Sequence, residues 1–180
     1  MHCLTKVKLA YDPNSGYLRS VLQALNIPVS SQGLVFGRNS FHLDLISPQS
    51  PRALYFNDDA FIGYVQGANA LEVAAMDSKV GPVFYTLAQK QSAKPTFVKE
   101  TTNCLVCHDS EGNEIPRLLV LSTIPDKAGT AIGRIAYSTD DQSPFKERFG
   151  SWYVTGTHGK QVHMGNVFAP IQANAILGDP

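Results

Sequence analysis

Length, composition and charge limit what this chain can be before any motif is considered. It has 180 residues, of which 43% are hydrophobic and 17% charged, with 15 basic side chains against 15 acidic ones. A chain of this length and apolar content predicts one compact domain over residues 1–180. The balanced charge argues against nucleic acid as the main partner. No apolar run reaches the length of about 18 residues that predicts a membrane span.

The ends of the chain and its cysteines narrow the class further. Residues 1–12 include basic side chains but lack the apolar segment and cleavage site of a secretory signal peptide. Because the chain also stops abruptly at Pro180, we expect a fragment, truncated at one or both ends. One of the three cysteines is near the start and two form a single C-x-x-C, unlike a disulfide-stapled module. The pair therefore predicts a binding or reactive site rather than a structural disulfide.

The first half of the chain predicts one helix followed by strands. Residues 15–26 place apolar side chains at helical spacing, and Pro28 ends the pattern. Residues 34–36 and 41–45 predict a loop with short strand. Turn-forming residues then separate four short apolar segments, which predict an antiparallel meander: 53–56, 60–65, 71–75 and 83–87.

The second half predicts further short elements around the cysteine pair. Residues 96–98 predict a strand that leads into the C-x-x-C, and residues 117–122 and 132–137 predict two strands flanking a turn. Residues 152–155 predict a strand-like segment.

Residues 143–149 predict a short helix. Ser143 is suited to the N-cap, Pro144 to the first helical position, and Gly150 to the stop. Together with the strands this predicts an α+β fold.

The run Cys104-Leu105-Val106-Cys107-His108 carries the clearest chemical signal. Two cysteines three positions apart on a helical turn face the same side, so both thiols can reach the two vinyl groups of a haem. The next residue, His108, is then placed to ligate the iron. The run predicts one covalent haem c on Cys104, Cys107 and His108. The α+β pattern further predicts that this haem does not sit in the small all-helical cytochrome c fold.

Zinc is the rival interpretation of the cysteine pair. A C-x-x-C supplies half of many structural sites, and His158 with His163 would complete a tetrahedral Cys2His2 set. However, the gap of roughly 50 residues far exceeds the usual finger spacing, and His108 would have no role. A thioredoxin-like redox pair is weaker still, because no βαβ pattern surrounds the cysteines.

A haem that only carries electrons needs a second axial ligand, and three candidates cluster in residues 157–166. A thioether from Met164 would raise the reduction potential, whereas an imidazole from His158 or His163 would lower it. The ordinary alternatives are surface histidines and a core methionine.

Two other features bear on the axial ligand. Glycines at 156, 159 and 165 would let the backbone pass close to the face of the macrocycle. Met76 ends the apolar run that begins at Leu71, and this context favours a core side chain over a ligand.

Three segments resemble a bacterial family of poorly characterised c-type cytochrome-domain proteins, common in planctomycete-like genomes. They are residues 51–58, 103–108 and 150–159. The resemblance implies haem c on the C-x-x-C-H, and matches the family's Trp-Tyr-Val-Thr-Gly-Thr-His-Gly at 152–159 and His-Met-Gly-Asn at 163–166. It also implies export and a further helical region after this point.

These observations predict a monohaem c-type cytochrome that transfers single electrons to a redox partner protein, in the periplasm or otherwise outside the cytoplasm. An electron carrier is favoured over a catalyst. The alternatives are a peroxidase-like haem enzyme or a gas or redox sensor with an open distal position, and a structural zinc module. No nucleic acid and no membrane span in this chain are expected.

Overall fold

The structure is a computed structural model that describes residues 8–108 and 116–169, except for the side chains of 133–137. The chain divides into two compact units, each built from two stretches. The first unit takes residues up to 32 and 53–118, and the second takes 33–52 and 119 onwards. The prediction of one domain over the whole chain stays a prediction, and each unit is described by itself.

The described elements are mostly antiparallel strands with few short helices. The helices are α1 (Leu18–Ala24) and α2 (Leu105–His108). The strands are β1 (Gly33–Val35), β2 (Arg52–Phe56), β3 (Ala60–Tyr64), β4 (Ala70–Asp77), β5 (Gly81–Ala88), β6 (Phe97–Glu100), β7 (Val120–Pro125), β8 (Ala131–Thr139) and β9 (Trp152–Tyr153). Such a composition fits an α+β or mostly-β protein, which agrees with the predicted class. None of the described helices is long and apolar enough to cross a bilayer.

Helix α1 confirms the helix expected near the start of the chain, although it is shorter than residues 15–26. Its apolar side chains at Leu18, Val21 and Leu22 are buried. Asn26 adopts a positive φ of 53° directly after the helix, two residues before Pro28, so the chain turns away there. The α1 end is fixed to the sheet because the Asn57 side chain donates a hydrogen bond to the Leu25 carbonyl at 3.0 Å.

The meander predicted for the first unit is confirmed. Strands β2 to β6 pair with their sequence neighbours, and every pairing is antiparallel. One face of this sheet belongs to the core and carries buried Ile62, Val73 and Leu87. Because successive side chains on a strand alternate in direction, the other face carries a different set, including Phe84 and Met76. We call this second set of side chains the outer face of the sheet.

The second unit contains two small antiparallel pairs. Strands β7 and β8 form the predicted pair around a turn, with Val120 opposite Thr139, and β1 pairs with β9. The Trp152 indole donates to the Leu121 carbonyl at 2.9 Å, and the Tyr153 hydroxyl donates to the Pro48 carbonyl at 2.7 Å. The strand-like segment predicted at 152–155 is thus confirmed over its first two residues.

The strand expected in residues 41–45 is wrong. Leu43–Leu45 form a 3-10 turn instead. The Arg38 side chain donates to the Leu43 carbonyl at 3.0 Å and to the Asp44 carboxylate at 3.3 Å, which holds the turn. The alternating Phe41, Leu43 and Leu45 remain exposed, so the apolar alternation does not mark a buried strand here.

The helix expected over 143–149 is also wrong, apart from a three-residue 3-10 turn at Phe145–Glu147. Ser143 does not cap a helix, because its backbone and hydroxyl groups both donate to the Asp140 carboxylate at 2.9 Å. The Arg148 side chain then donates to the Ser143 carbonyl at 2.8 Å. These local side-chain bonds compete with the helix and hold a turn.

Candidate functional site

The C-x-x-C-H run forms a helical turn, as its cysteine spacing predicts. The backbone N–H groups of Cys107 and His108 both donate to the Cys104 carbonyl, at 3.3 and 3.0 Å, and close the turn that becomes α2. Cys104 is half-buried and Cys107 is exposed, and both are thiols rather than a disulfide. Val106, between them, is 81% exposed. The turn therefore presents its cysteine chemistry at the surface of the first unit.

His108 is held by two contacts from other parts of the first unit. Its ring lies against the Phe84 ring with 4.6 Å between centroids, and its Nδ1 is 2.8 Å from the Arg117 carbonyl oxygen. The Arg117 N–H donates back to the His108 carbonyl at 2.8 Å. A carbonyl only accepts, so Nδ1 carries the proton and Nε2 keeps its lone pair in the neutral ring. Metal-ligating histidines are oriented in this way.

An apolar groove lies beside this turn, entirely within the first unit. It is open to solvent and has a volume of about 240 Å³. Pro82 and Phe84 from β5 and Leu105 from α2 line it, with Lys99 and Glu100 at the end of β6. The Glu100 carboxylate accepts a hydrogen bond from the Thr86 hydroxyl at 2.9 Å. Glu100 is opposite Phe84 in the register and Lys99 is opposite Tyr85, so the Glu100 carboxylate shares the face of Phe84 and the Lys99 side chain belongs to the other face.

In the second unit, His158 has the same arrangement as His108. It is exposed, and its Nδ1 lies 2.9 Å from the Gln161 carbonyl oxygen, so its Nε2 carries a lone pair. Its ring stands edge-on to the His163 ring at 4.3 Å between centroids.

His163 has the opposite arrangement. It is buried, and its Nδ1 accepts a hydrogen bond from the Gly165 N–H at 3.0 Å, which places the ring proton on Nε2. That Nε2 is buried and has no hydrogen-bond partner among the described residues. Burial lowers the pKa of His163 below its ordinary value, and the nearby His158 lowers that pKa further. His163 would have to give up its Gly165 bond before Nε2 could ligate a metal.

Met164 is a core side chain in the second unit. It is 2% exposed and forms a buried cluster with Ile124 and Val167. A thioether in this position is enclosed by apolar side chains, which matches the ordinary alternative for a methionine in this segment.

The three glycines at 156, 159 and 165 differ in their surroundings. A side chain at Gly165 would collide with Val154 and press on the His163 ring, so this glycine permits close packing inside the unit. Gly156 and Gly159 have open space around them.

Met76 departs from the sequence interpretation. It is 44% exposed rather than a core side chain, because β4 turns it onto the outer face while Val73 and Leu71 point into the core. The sequence also missed Phe84, which was expected to be an ordinary strand residue. The Arg117 carbonyl could not have been found, because every residue has one.

Among the described residues, no three or more His, Cys, Asp and Glu side chains are grouped so that they could hold a metal ion. The zinc interpretation therefore gains no support from this part of the chain. Haem attachment makes a different demand, because two thioethers and an imidazole contact separate parts of the macrocycle.

No protein-family model, curated protein or solved structure matches this chain. The resemblance to a c-type cytochrome-domain family thus stays a prediction from the sequence, and function has to be argued from the site.

Proposed function

We propose that this protein is a monohaem c-type cytochrome that carries single electrons. The observation that carries the proposal is His108: its Nδ1 is 2.8 Å from the Arg117 carbonyl, leaving Nε2 as a ligand directly after two surface thiols. A backbone carbonyl behind the ring fixes both its tautomer and its orientation. Neither a structural histidine nor a simple thiol pair needs this combination.

The groove beside the turn supports the same proposal. A haem is a flat, largely apolar group, so it needs apolar walls. Pro82, Phe84 and Leu105 supply such walls. When bound, the haem supplies a one-electron iron centre, and the chain holds it by Cys104, Cys107 and His108.

The sixth ligand decides between an electron carrier and a haem enzyme or sensor. An iron with two protein ligands exchanges electrons without binding a substrate, whereas an open position binds small molecules. The sequence candidates His158, His163 and Met164 stay predictions for this ligand, and of the three, His158 has an accessible lone pair on Nε2.

The test is a spectroelectrochemical titration of the protein produced with an export signal and the haem-maturation machinery. We expect a reversible one-electron transition and a reduced spectrum that CO does not change. A spectrum that shifts with CO or peroxide would instead favour the enzyme or sensor alternative. A colourless protein that contains zinc would overturn the proposal.

The proposed location is the periplasm or another compartment outside the cytoplasm, because haem c is attached on the oxidising side of the membrane. The partner is a second redox protein. The same expression experiment checks the location: we expect coloured protein only from the exported form, and haem attached to a form kept in the cytoplasm would contradict it.

A further inference from the structure

We propose that Met76 is the sixth, axial ligand of the haem, an inference that rests on the proposed attachment at Cys104, Cys107 and His108. Met76 belongs to the first unit, as the C-x-x-C-H does, and its side chain is 44% exposed. Its thioether is therefore accessible, unlike that of a methionine enclosed in a core.

The register places Met76 next to the residues that hold His108. Met76 lies directly opposite Pro82, and Ala74 lies opposite Phe84, so Met76 is the diagonal neighbour of Phe84 on the outer face. Diagonal neighbours on paired strands lie roughly 7–8 Å apart, within reach of long side chains. The His108 ring contacts that same Phe84, so the register places Met76 beside the side chain that His108 contacts.

The backbone around Met76 is anchored, although its side chain is exposed. The Met76 N–H donates to the Asp59 carbonyl at 2.8 Å. The next residue, Asp77, accepts hydrogen bonds from the N–H groups of Lys79 and Val80, at 2.9 and 3.2 Å. A ligand needs this combination of a fixed attachment point and a side chain able to turn toward the metal.

The groove lies between the hairpin that carries Met76 and the cysteine turn. Val80 and Pro82, which line it, belong to the same β4–β5 hairpin as Met76, and Leu105 lines it from the cysteine turn. Met164, in contrast to Met76, is only 2% exposed and belongs to the core of the second unit. A flexible thioether is also a known axial partner of histidine and raises the reduction potential.

The experiment compares three variants of the full haem-loaded chain: Met76→Leu, Met164→Leu and His158→Ala. Leucine keeps the apolar volume at both methionines, and Met76 is exposed, so we expect all three variants to fold and attach haem. We expect only Met76→Leu to lose the six-coordinate low-spin spectrum, bind CO in the reduced state, and show a lower midpoint potential. A fourth variant, Met76→His, should restore six coordination with a potential below that of the wild type.

Haem attachment is read separately, from the mass of each protein after denaturation. If wild-type protein carries no covalent haem, the proposed function fails. If haem is attached and Met76→Leu leaves the spectrum and potential unchanged, or the wild type already binds CO, the Met76 assignment fails while attachment stands. Loss of six coordination in His158→Ala would assign the ligand to His158.

Discussion

His108 in the cysteine turn of the first unit and His163 in the second unit are the same type of side chain in opposite states. His108 has a carbonyl behind Nδ1, and so its Nε2 is a free lone pair. His163 has an N–H behind Nδ1, and so its Nε2 is a buried proton donor. The neighbouring backbone, and not the histidine itself, decides which ring can ligate a metal.

The same contrast separates the two methionines. Met76 stands half-exposed on the outer face of the first unit's sheet, while Met164 is enclosed by Ile124 and Val167. The first is available for chemistry and the second supports packing. Substitutions in the two regions should therefore act on different properties: those at the cysteine turn on haem attachment, and those at Met164 on stability.

The largest effect should follow from removing both thiols. In Cys104→Ser/Cys107→Ser we expect no haem to survive denaturation, because no thioether can form, while the fold persists since Cys107 is exposed and Cys104 only half-buried. A haem stain on a denaturing gel and circular dichroism measure the two properties. Cys3→Ser serves as the matched control and should keep its haem. Haem that stays on the denatured double variant would contradict attachment through Cys104 and Cys107.

The next effect is on stability. Met164→Ala should lower the free energy of unfolding by about 2–5 kcal/mol, because a buried methionine is replaced by a cavity. Both variants are made in the haem-free Cys104→Ser/Cys107→Ser background. Met76→Ala should change the free energy of unfolding by less than about 0.5 kcal/mol, as expected at an exposed position. Chemical denaturation checks both values. Equal losses would mean that the two methionines do not differ as described.

A smaller loss is expected at Gly165. The added methyl of Gly165→Ala would collide with Val154 and press on the His163 ring, so we expect a loss of about 1–3 kcal/mol, typical of overpacking. Gly156→Ala is the control, because a side chain there meets open space. Denaturation midpoints compare the two, and a similar midpoint for both variants would contradict the packing at Gly165.

The smallest expected effect is a dependence of stability on pH. The pKa of His163 in the folded protein is below its ordinary value of 6.5, so the unfolded chain binds a proton more readily. Stability should therefore fall as the pH drops below about 6.5, and should stop falling below the folded pKa. His163→Phe should flatten this part of the curve in haem-free protein, measured by thermal unfolding from pH 7.5 to 5. A curve as steep as that of the wild type would show that His163 is not responsible.

Much of the first unit could be predicted because its signals are local. Short apolar segments broken by turn residues predicted strands β2 to β5 correctly, and the cysteine spacing predicted the turn that becomes α2. The helix predicted over 143–149 does not form, because the Asp140 carboxylate accepts a hydrogen bond from the Ser143 N–H and the Arg148 side chain donates one to the Ser143 carbonyl. Helix-capping patterns in a sequence do not include such contacts.

The site itself was only half predictable. Met76 ends the segment Val73-Ala74-Ala75-Met76, in which no polar residue marks the exposed face. The face that Met76 occupies therefore depends on register. The bond from His108 to the Arg117 carbonyl is also invisible, because a carbonyl leaves no mark in the sequence.

The most direct measurement of the central claim is the mass of the protein after acid–acetone extraction, using chain exported in cells that contain the haem-maturation machinery. A mass increased by that of one haem, with absorption that stays with the polypeptide, is the result expected from Cys104, Cys107 and His108. A mass equal to that of the unmodified chain, with all colour in the solvent or none at all, would contradict covalent haem attachment and with it the proposed cytochrome.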